Sequence, residues 1–243
     1  MTLLSIVQRA AALVALPVPT SVIGNTDQTV QQLLAISRTG GEEMLKWGDW
    51  VDLISGYIFT TTDGVNEYVL PSDYDRQIDS TVWSNFNRWP YLGPVTPQEW
   101  QALVSAFVGA GVVYPRYRIV RETGGVNKRF YIYPTPGATA DTVAYQYITK
   151  NWVIDADSQA LPTWENDDDT SVFPESLLIL DLRWRWLQSR GFSYDVQLAE
   201  FEQARDREFA QERPAPVLCL NPTYVGPRMV DWFNVPGTNI SGI

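Results

Sequence analysis

Two acidic stretches carry the spacing closest to metal chemistry in this chain of 243 residues. Asp155, Asp157 and Gln159 begin like a calcium loop, in which oxygen ligands alternate along the chain around a glycine turn and end at a glutamate. Ala160 stands where the glycine belongs and Asn166 where the glutamate belongs, so the pattern fails. Asp167-Asp168-Asp169 has the charge to gather a loosely held cation. The competing readings are a solvated loop, or negative charge placed favourably ahead of a helix opening at Pro174. The chain contains no histidine, which removes the usual general base, a common metal ligand and every Ser-His or Cys-His arrangement. Its single cysteine, Cys219, lies between Leu218 and Leu220 and reads as a small apolar side chain. No phosphate-binding glycine loop is present, because Gly109-Ala-Gly111 leads into a strand rather than a helix. The expectation is no catalytic residue, no cofactor and no resident metal.

Two further groups have functional chemistry. Trp83, Phe86, Trp89 and Tyr91 could stack on sugar rings, and 28 acidic residues leave room for a pair of glycosidase carboxylates. A carbohydrate-binding or glycan-hydrolysing protein is therefore the alternative reading. Arg88 and Pro90-Tyr-Leu-Gly-Pro94 make the same aromatics look more like a packed loop. Arg116, Arg118, Arg121, Lys128 and Arg129 form the main basic concentration: either a solvated sheet face, or a docking face for an acidic partner such as a second copy of this acidic chain. A net charge of −10 opposes wrapping or reading DNA, which requires clustered cations to displace counterions. It leaves DNA free to pass nearby. Ten tryptophans suit either a large aromatic core or interface anchors.

The elements that would hold these groups follow from periodicity. Leu3, Val7, Ala10 and Val14 share a helical face, broken after Pro17. Residues 1–16 look superficially like a secretory leader, but a basic start is missing and Arg9 interrupts the apolar run. No stretch approaches the ~18–20 apolar residues of a membrane span, so a protein made in a cytoplasm is expected. A second helix opens at Asp27 and carries Val30, Leu33, Ser37, Gly40, Gly41 and Met44 on one face, with the glycines offering either a close helix approach or a break. Tyr57–Thr60 and Glu67–Leu70 flank the hairpin-type turn Asp63-Gly64. Thr96-Pro-Gln-Glu99 is a capping box for a short helix at about 96–109. Arg116–Glu122, Arg129–Tyr133 and Thr142–Thr149 read as one small antiparallel sheet. A largely apolar helix from Pro174 and a more polar one from Tyr194 to Glu212, anchored by Val196, Leu198, Phe201 and Phe209, complete the body. The expected fold class is α+β: a helical bundle body (1–46 and 174–212), an inserted antiparallel β subdomain (47–173) and an extended C-terminal arm (213–243).

The arm is unusual. Prolines at 214, 216, 222, 227 and 236 remove backbone donors and fix φ, so neither a helix nor a central strand runs through it. It nevertheless carries Leu218, Leu220, Tyr224, Met229, Trp232 and Phe233, which lose free energy when left in water. Such a segment needs a surface supplied by its own body or by a partner.

Several segments taken in order resemble the head-to-tail adaptor, or connector, proteins of short-tailed phages. They are Ser21–Gln28 with Gln32–Ala35, Leu70–Asp75, Leu92–Trp100, Tyr131–Pro136, Tyr145–Trp152 and Leu182–Trp186, spanning roughly residues 1–212. The resemblance implies a structural virion protein forming a ring, a dodecamer, between the portal protein and the tail nozzle. The ring would extend the DNA channel, with DNA passing through unread. It further implies that the C-terminal arm reaches the portal through Leu218, Leu220, Tyr224, Met229, Trp232 and Phe233, and that the basic strands touch a neighbouring subunit or the tail.

Overall fold

A computed structural model describes residues 2–86, 88–105, 114–122, 125 and 127–212. In chain order it contains α1 (Leu3–Leu13), α2 (Gln28–Trp47), a 3-10 turn (Val51–Leu53), β1 (Ile54–Thr60), β2 (Glu67–Val69), β3 (Tyr74–Gln77) and β4 (Trp83–Ser84). There follow α3 (Pro97–Ser105), β5 (Arg116–Arg121), β6 (Lys128–Tyr133), β7 (Thr142–Thr149), β8 (Val153–Ile154), β9 (Ala160–Leu161), β10 (Thr170–Ser171), α4 (Glu175–Ser189) and α5 (Asp195–Glu212). The class is mixed α+β with antiparallel pairing, as the periodicity predicts. Two compact units divide the described chain: residues 2–54 with 149–212, and residues 55–148.

In the first unit α1, α2 and α5 each pack on α4. Thr2 caps α1 by accepting from the Ser5 backbone, and Leu3, Ile6, Val7, Ala10 and Ala11 are buried. Asp27 caps α2, which runs unbroken through Gly40 and Gly41 to Trp47. Close approach, not a break, explains the glycines: a Cβ at Gly40 would overlap the Asp181 carboxylate, and one at Gly41 the Trp152 indole. Ser37 in the same seam accepts from Trp164 Nε1 at 3.0 Å. Rings continue the contact from Trp164 to Trp152 (5.1 Å between centroids), Phe173 (5.9 Å), Trp50 (5.4 Å), Phe209 (5.4 Å) and Trp47 (4.6 Å). Much of the tryptophan content is thus core. On α5, Phe201 and Ala204 are buried, while Val196, expected as an anchor, is 66% exposed. The small sheet β10-β8-β9 lies within this helical unit. Strands of two residues leave no alternation for a sequence pattern to show.

The second unit has two sheets, one ordered β1-β7-β3 with β4 also on β7, the other β2-β6-β5. The strand pairing differs from the sequence expectation in two places. The segments flanking Asp63-Gly64 are not hairpin partners: β1 belongs to the sheet of β7, and β2 pairs with β6. The turn, with Gly64 at φ 72°, carries the chain from one sheet to the other. Likewise β5 and β6 pair in register Ile119↔Phe130, but β7 lies in the other sheet. Both arrangements satisfy the same period-two pattern, because each sheet turns one face toward a shared core. That core holds Tyr117, Phe130, Ile132, Val143, Tyr145 and Tyr147. Its centre is a stack of Tyr117 on Phe130 (5.0 Å, 4° between planes) and Phe130 on Tyr145 (5.4 Å, 10°). The Thr96–Glu99 capping box forms, with Glu99 N donating to Thr96 Oγ1 at 3.2 Å and Thr96 N to Glu99 Oε2 at 2.9 Å. The expected continuation of α3 to residue 109 lies outside the described residues.

Gly41→Ala should lower unfolding stability in urea by about 1–3 kcal/mol, because helix and indole have no room to separate. Gly137→Ala, where a Cβ meets nothing within 4 Å, should be neutral to slightly stabilising.

Candidate functional site and interaction surfaces

Register decides what the basic strands present. Arg116, Arg118 and Arg129 lie on one face of the β2-β6-β5 sheet, while Arg121 and Lys128 are paired across strands on the other. Alternation makes this unavoidable, since neighbouring residues of a strand point to opposite sides. Several of these cations are also engaged locally. Arg118 stacks 4.2 Å over Trp100 of α3 and 5.4 Å over Tyr131. Arg129 pairs with Glu122 (Nη2 to Oε2, 3.1 Å) and Glu67 (Nε to Oε1, 3.3 Å). Lys128 Nζ stands 5.7 Å from the Tyr74 ring, and Arg121 is exposed. The two faces therefore differ: one is a packed arginine-aromatic layer against α3, while the other is the core face of Tyr117, Phe130 and Ile132, with Arg121 and Lys128 exposed at its edge.

The acidic stretches hold backbone. Asp155 Oδ1 accepts from the backbones of Asp157 (2.9 Å) and Gln159 (2.7 Å), closing a tight turn. Asp167 accepts from the backbones of Val22 and Ile23, and its own carbonyl accepts from Leu4. Asp169, buried, accepts through Oδ2 from Glu165 N and Asn166 N, both at 2.7 Å, and its carbonyl takes Leu3 N at 2.8 Å. The run thus fastens the open N-terminal end of α1, where backbone donors lack helical partners. Among the described residues no group of three or more His, Cys, Asp or Glu side chains is placed to hold a metal.

The aromatic cluster does not form a flat platform. Tyr91 is buried and its hydroxyl donates to Asp141 at 3.1 Å. Trp89 meets Tyr114 edge-on at 5.2 Å. Phe86 is exposed, and its backbone donates to Asp141 at 2.9 Å. Asp141 also takes Ser84 Oγ at 2.6 Å, so one buried carboxylate ties β4, the following loop and the start of β7 together. Burial, then the Asp141 charge and hydrogen bond, push the Tyr91 hydroxyl well above its ordinary range.

A third buried carboxylate, like Asp141, was not singled out by the sequence. Asp181 of α4, 1% exposed, accepts from Arg185 Nε at 2.8 and 2.9 Å and from Trp184 Nε1 at 3.1 Å. Arg185 Nη2 reaches Glu43 of α2 at 2.7 Å, so the triad bridges the two helices beside Gly40. Burial raises the Asp181 carboxyl to about 6, against the lowering effect of Arg185 and Trp184. The Arg185 hydrogen bond holds Glu43 below its ordinary value. A lone charged residue within the apolar run Leu177–Leu182 was the available signal. An open groove of about 290 Å³ adjoins the triad, lined by Gln32, Ile36, Thr39, Arg185 and Gln188. Its guanidinium is already committed to Asp181 and Glu43, so what it offers is packing and amide contact rather than a reaction centre.

The arm residues Leu218, Leu220, Tyr224, Met229, Trp232 and Phe233 lie outside the described residues. Among the described residues no helix is long and apolar enough to cross a membrane.

These carboxylates and cations hold strands, helix ends and sheets within the subunit. The family model described as SU10 adaptor protein matches residues 1–217. The chain belongs to that family, a family of phage head-to-tail adaptors. No curated protein matches the chain significantly.

The raised Asp181 carboxyl has a measurable consequence. Because the folded state holds that proton more tightly than the unfolded chain, its contribution to stability grows as pH falls through about 6 and is lost as pH rises through it. Glu43, lowered, acts oppositely, its contribution fading only below pH 4.5. Between pH 7 and 5 the wild type should therefore gain stability relative to Asp181→Asn in chemical denaturation. Parallel pH profiles for the two proteins would contradict this.

Proposed function

We propose that this protein is a structural head-to-tail adaptor that assembles as a ring, of twelve copies by the resemblance, between the portal and the tail nozzle. The observation that carries this reading is the family match over residues 1–217, with the buried carboxylates Asp141, Asp169 and Asp181 spent on internal fastening. The ring extends the DNA channel. Charge supports that role: residues 2–54 with 149–212 carry nine basic and nineteen acidic side chains (net −10), whereas residues 55–148 carry seven and eight (net −1). An acidic helical unit beside passing DNA repels phosphates instead of retaining them. The exposed Arg121/Lys128 pair offers the second unit a cationic contact for a neighbouring acidic subunit or the tail. In this reading the segment beyond Glu212 reaches the portal and uses Tyr224, Met229, Trp232 and Phe233 as anchors.

Truncation after Glu212 tests it. The shortened protein should keep the circular dichroism of a folded body and fail to attach to DNA-filled heads that lack adaptor. Undiminished attachment would overturn the reading, and an unfolded body would make the segment part of the core. In the full chain, Trp232→Ala and Phe233→Ala should each weaken portal attachment by ~1–4 kcal/mol.

A further inference from the structure

We infer that the first part of the C-terminal segment, Val217-Leu-Cys-Leu220, docks on its own subunit, over an apolar strip beside the end of α5, leaving the residues from Tyr224 onward to reach a partner. The inference concerns the same segment as the proposed function and rests on its reading as a reaching arm. It is decided on isolated protein, with no portal present.

The strip is made by Trp47, Val51 and Ile54, which are 38%, 45% and 37% exposed. Val51 opens the 3-10 turn and Ile54 follows it, with Ile54 N donating to Val51 O. Residues three apart on such a turn lie one above the other, so the two side chains share a face. Trp47 closes the end of α2, and Phe209 of α5 meets it edge-on at 4.6 Å. One turn beyond Phe209, Glu212 Oε2 accepts from Val51 N at 3.1 Å. The C-terminal turn of α5 therefore lies alongside the strip and delivers residue 213 next to it.

The following sequence suits the surface. Pro214 disfavours helical geometry at Arg213, and Pro216 and Pro222 do the same for Ala215 and Asn221, so the chain is biased to leave α5 extended. Val217–Leu220 is an uninterrupted apolar run between prolines. Cys219 is seven residues past Glu212, so an extended chain reaches roughly 23 Å from the helix end, ample for a surface that starts at Val51. Asp52, exposed within the strip, carries the charge opposite to Arg213. Rooting the segment restricts its conformations before the distal anchors meet a partner, which lowers the ordering cost of that encounter.

The single native cysteine makes a direct test. Full-length Val51→Cys, Val196→Cys and wild type are oxidised at low concentration with copper-phenanthroline, then resolved on non-reducing gels and by mass. Val196 is the control, exposed on α5 at the end opposite Glu212, from which the segment leaves, about 24 Å away along the helix. Val51→Cys should form an intramolecular disulfide with Cys219 at least tenfold faster than Val196→Cys, reversibly with reductant. Ile54→Cys should do the same and serves if Val51→Cys folds poorly. Equal rates at positions 51 and 196 would overturn the inference. Disulfide-linked dimers specific to Val51→Cys and dependent on protein concentration would also overturn it, placing a neighbouring copy's segment on the strip instead. A portal-binding failure without either result would count against the proposed function alone.

Discussion

The helical unit depends on how closely α2 approaches the residues it packs against. With no side chain at Gly40 and Gly41, the α2 backbone meets the Asp181 carboxylate and the Trp152 indole directly. Trp152 in turn begins the ring contacts that pass through Phe173, Trp50 and Phe209 to Trp47. Dense aromatic packing of this kind transmits small displacements, because interiors have few voids to absorb them. The position of the C-terminal turn of α5, and so the place from which the last thirty-one residues depart, is fixed by this line of contacts.

Buried carboxylates do the complementary work. Asp141 gathers two hydroxyls and a backbone amide in the second unit. Asp169 satisfies two loop amides, and the carbonyls of Asp167 and Asp169 receive the first donors of α1. Asp181 shares Arg185 with Glu43 across two helices. Each is a buried polar group whose loss would leave donors without partners, a costlier event than the bond itself is worth. Part of the acidic composition is thus spent on fastening inside the subunit.

Legibility in the sequence followed the reach of the interaction. Helix caps at Asp27 and Thr96, and the buried faces of α1 and α2, come from contacts within three or four residues and were readable. The apolar circumference of α4 was readable for the same reason. Strand partnership was not, because alternation says that Phe59 and Tyr145 point into a core but not which strands carry hydrogen bonds between them. The glycine seam left helix break and close approach open until Trp152 and Asp181 filled the space. The acidic run 167–169 looked like a cation site because its backbone partners, Val22 and Leu3, are more than a hundred residues away. The five cations read as one cluster along the chain, yet register separates Arg121 and Lys128 from Arg116, Arg118 and Arg129.

The most direct measurement is a density map of the adaptor bound to its portal in a DNA-filled head. Tyr224, Met229, Trp232 and Phe233 of each subunit should lie against a portal chain, with the acidic helical unit toward the DNA. A map in which residues 213–243 fold wholly over their own subunit, touching no other chain, would contradict it.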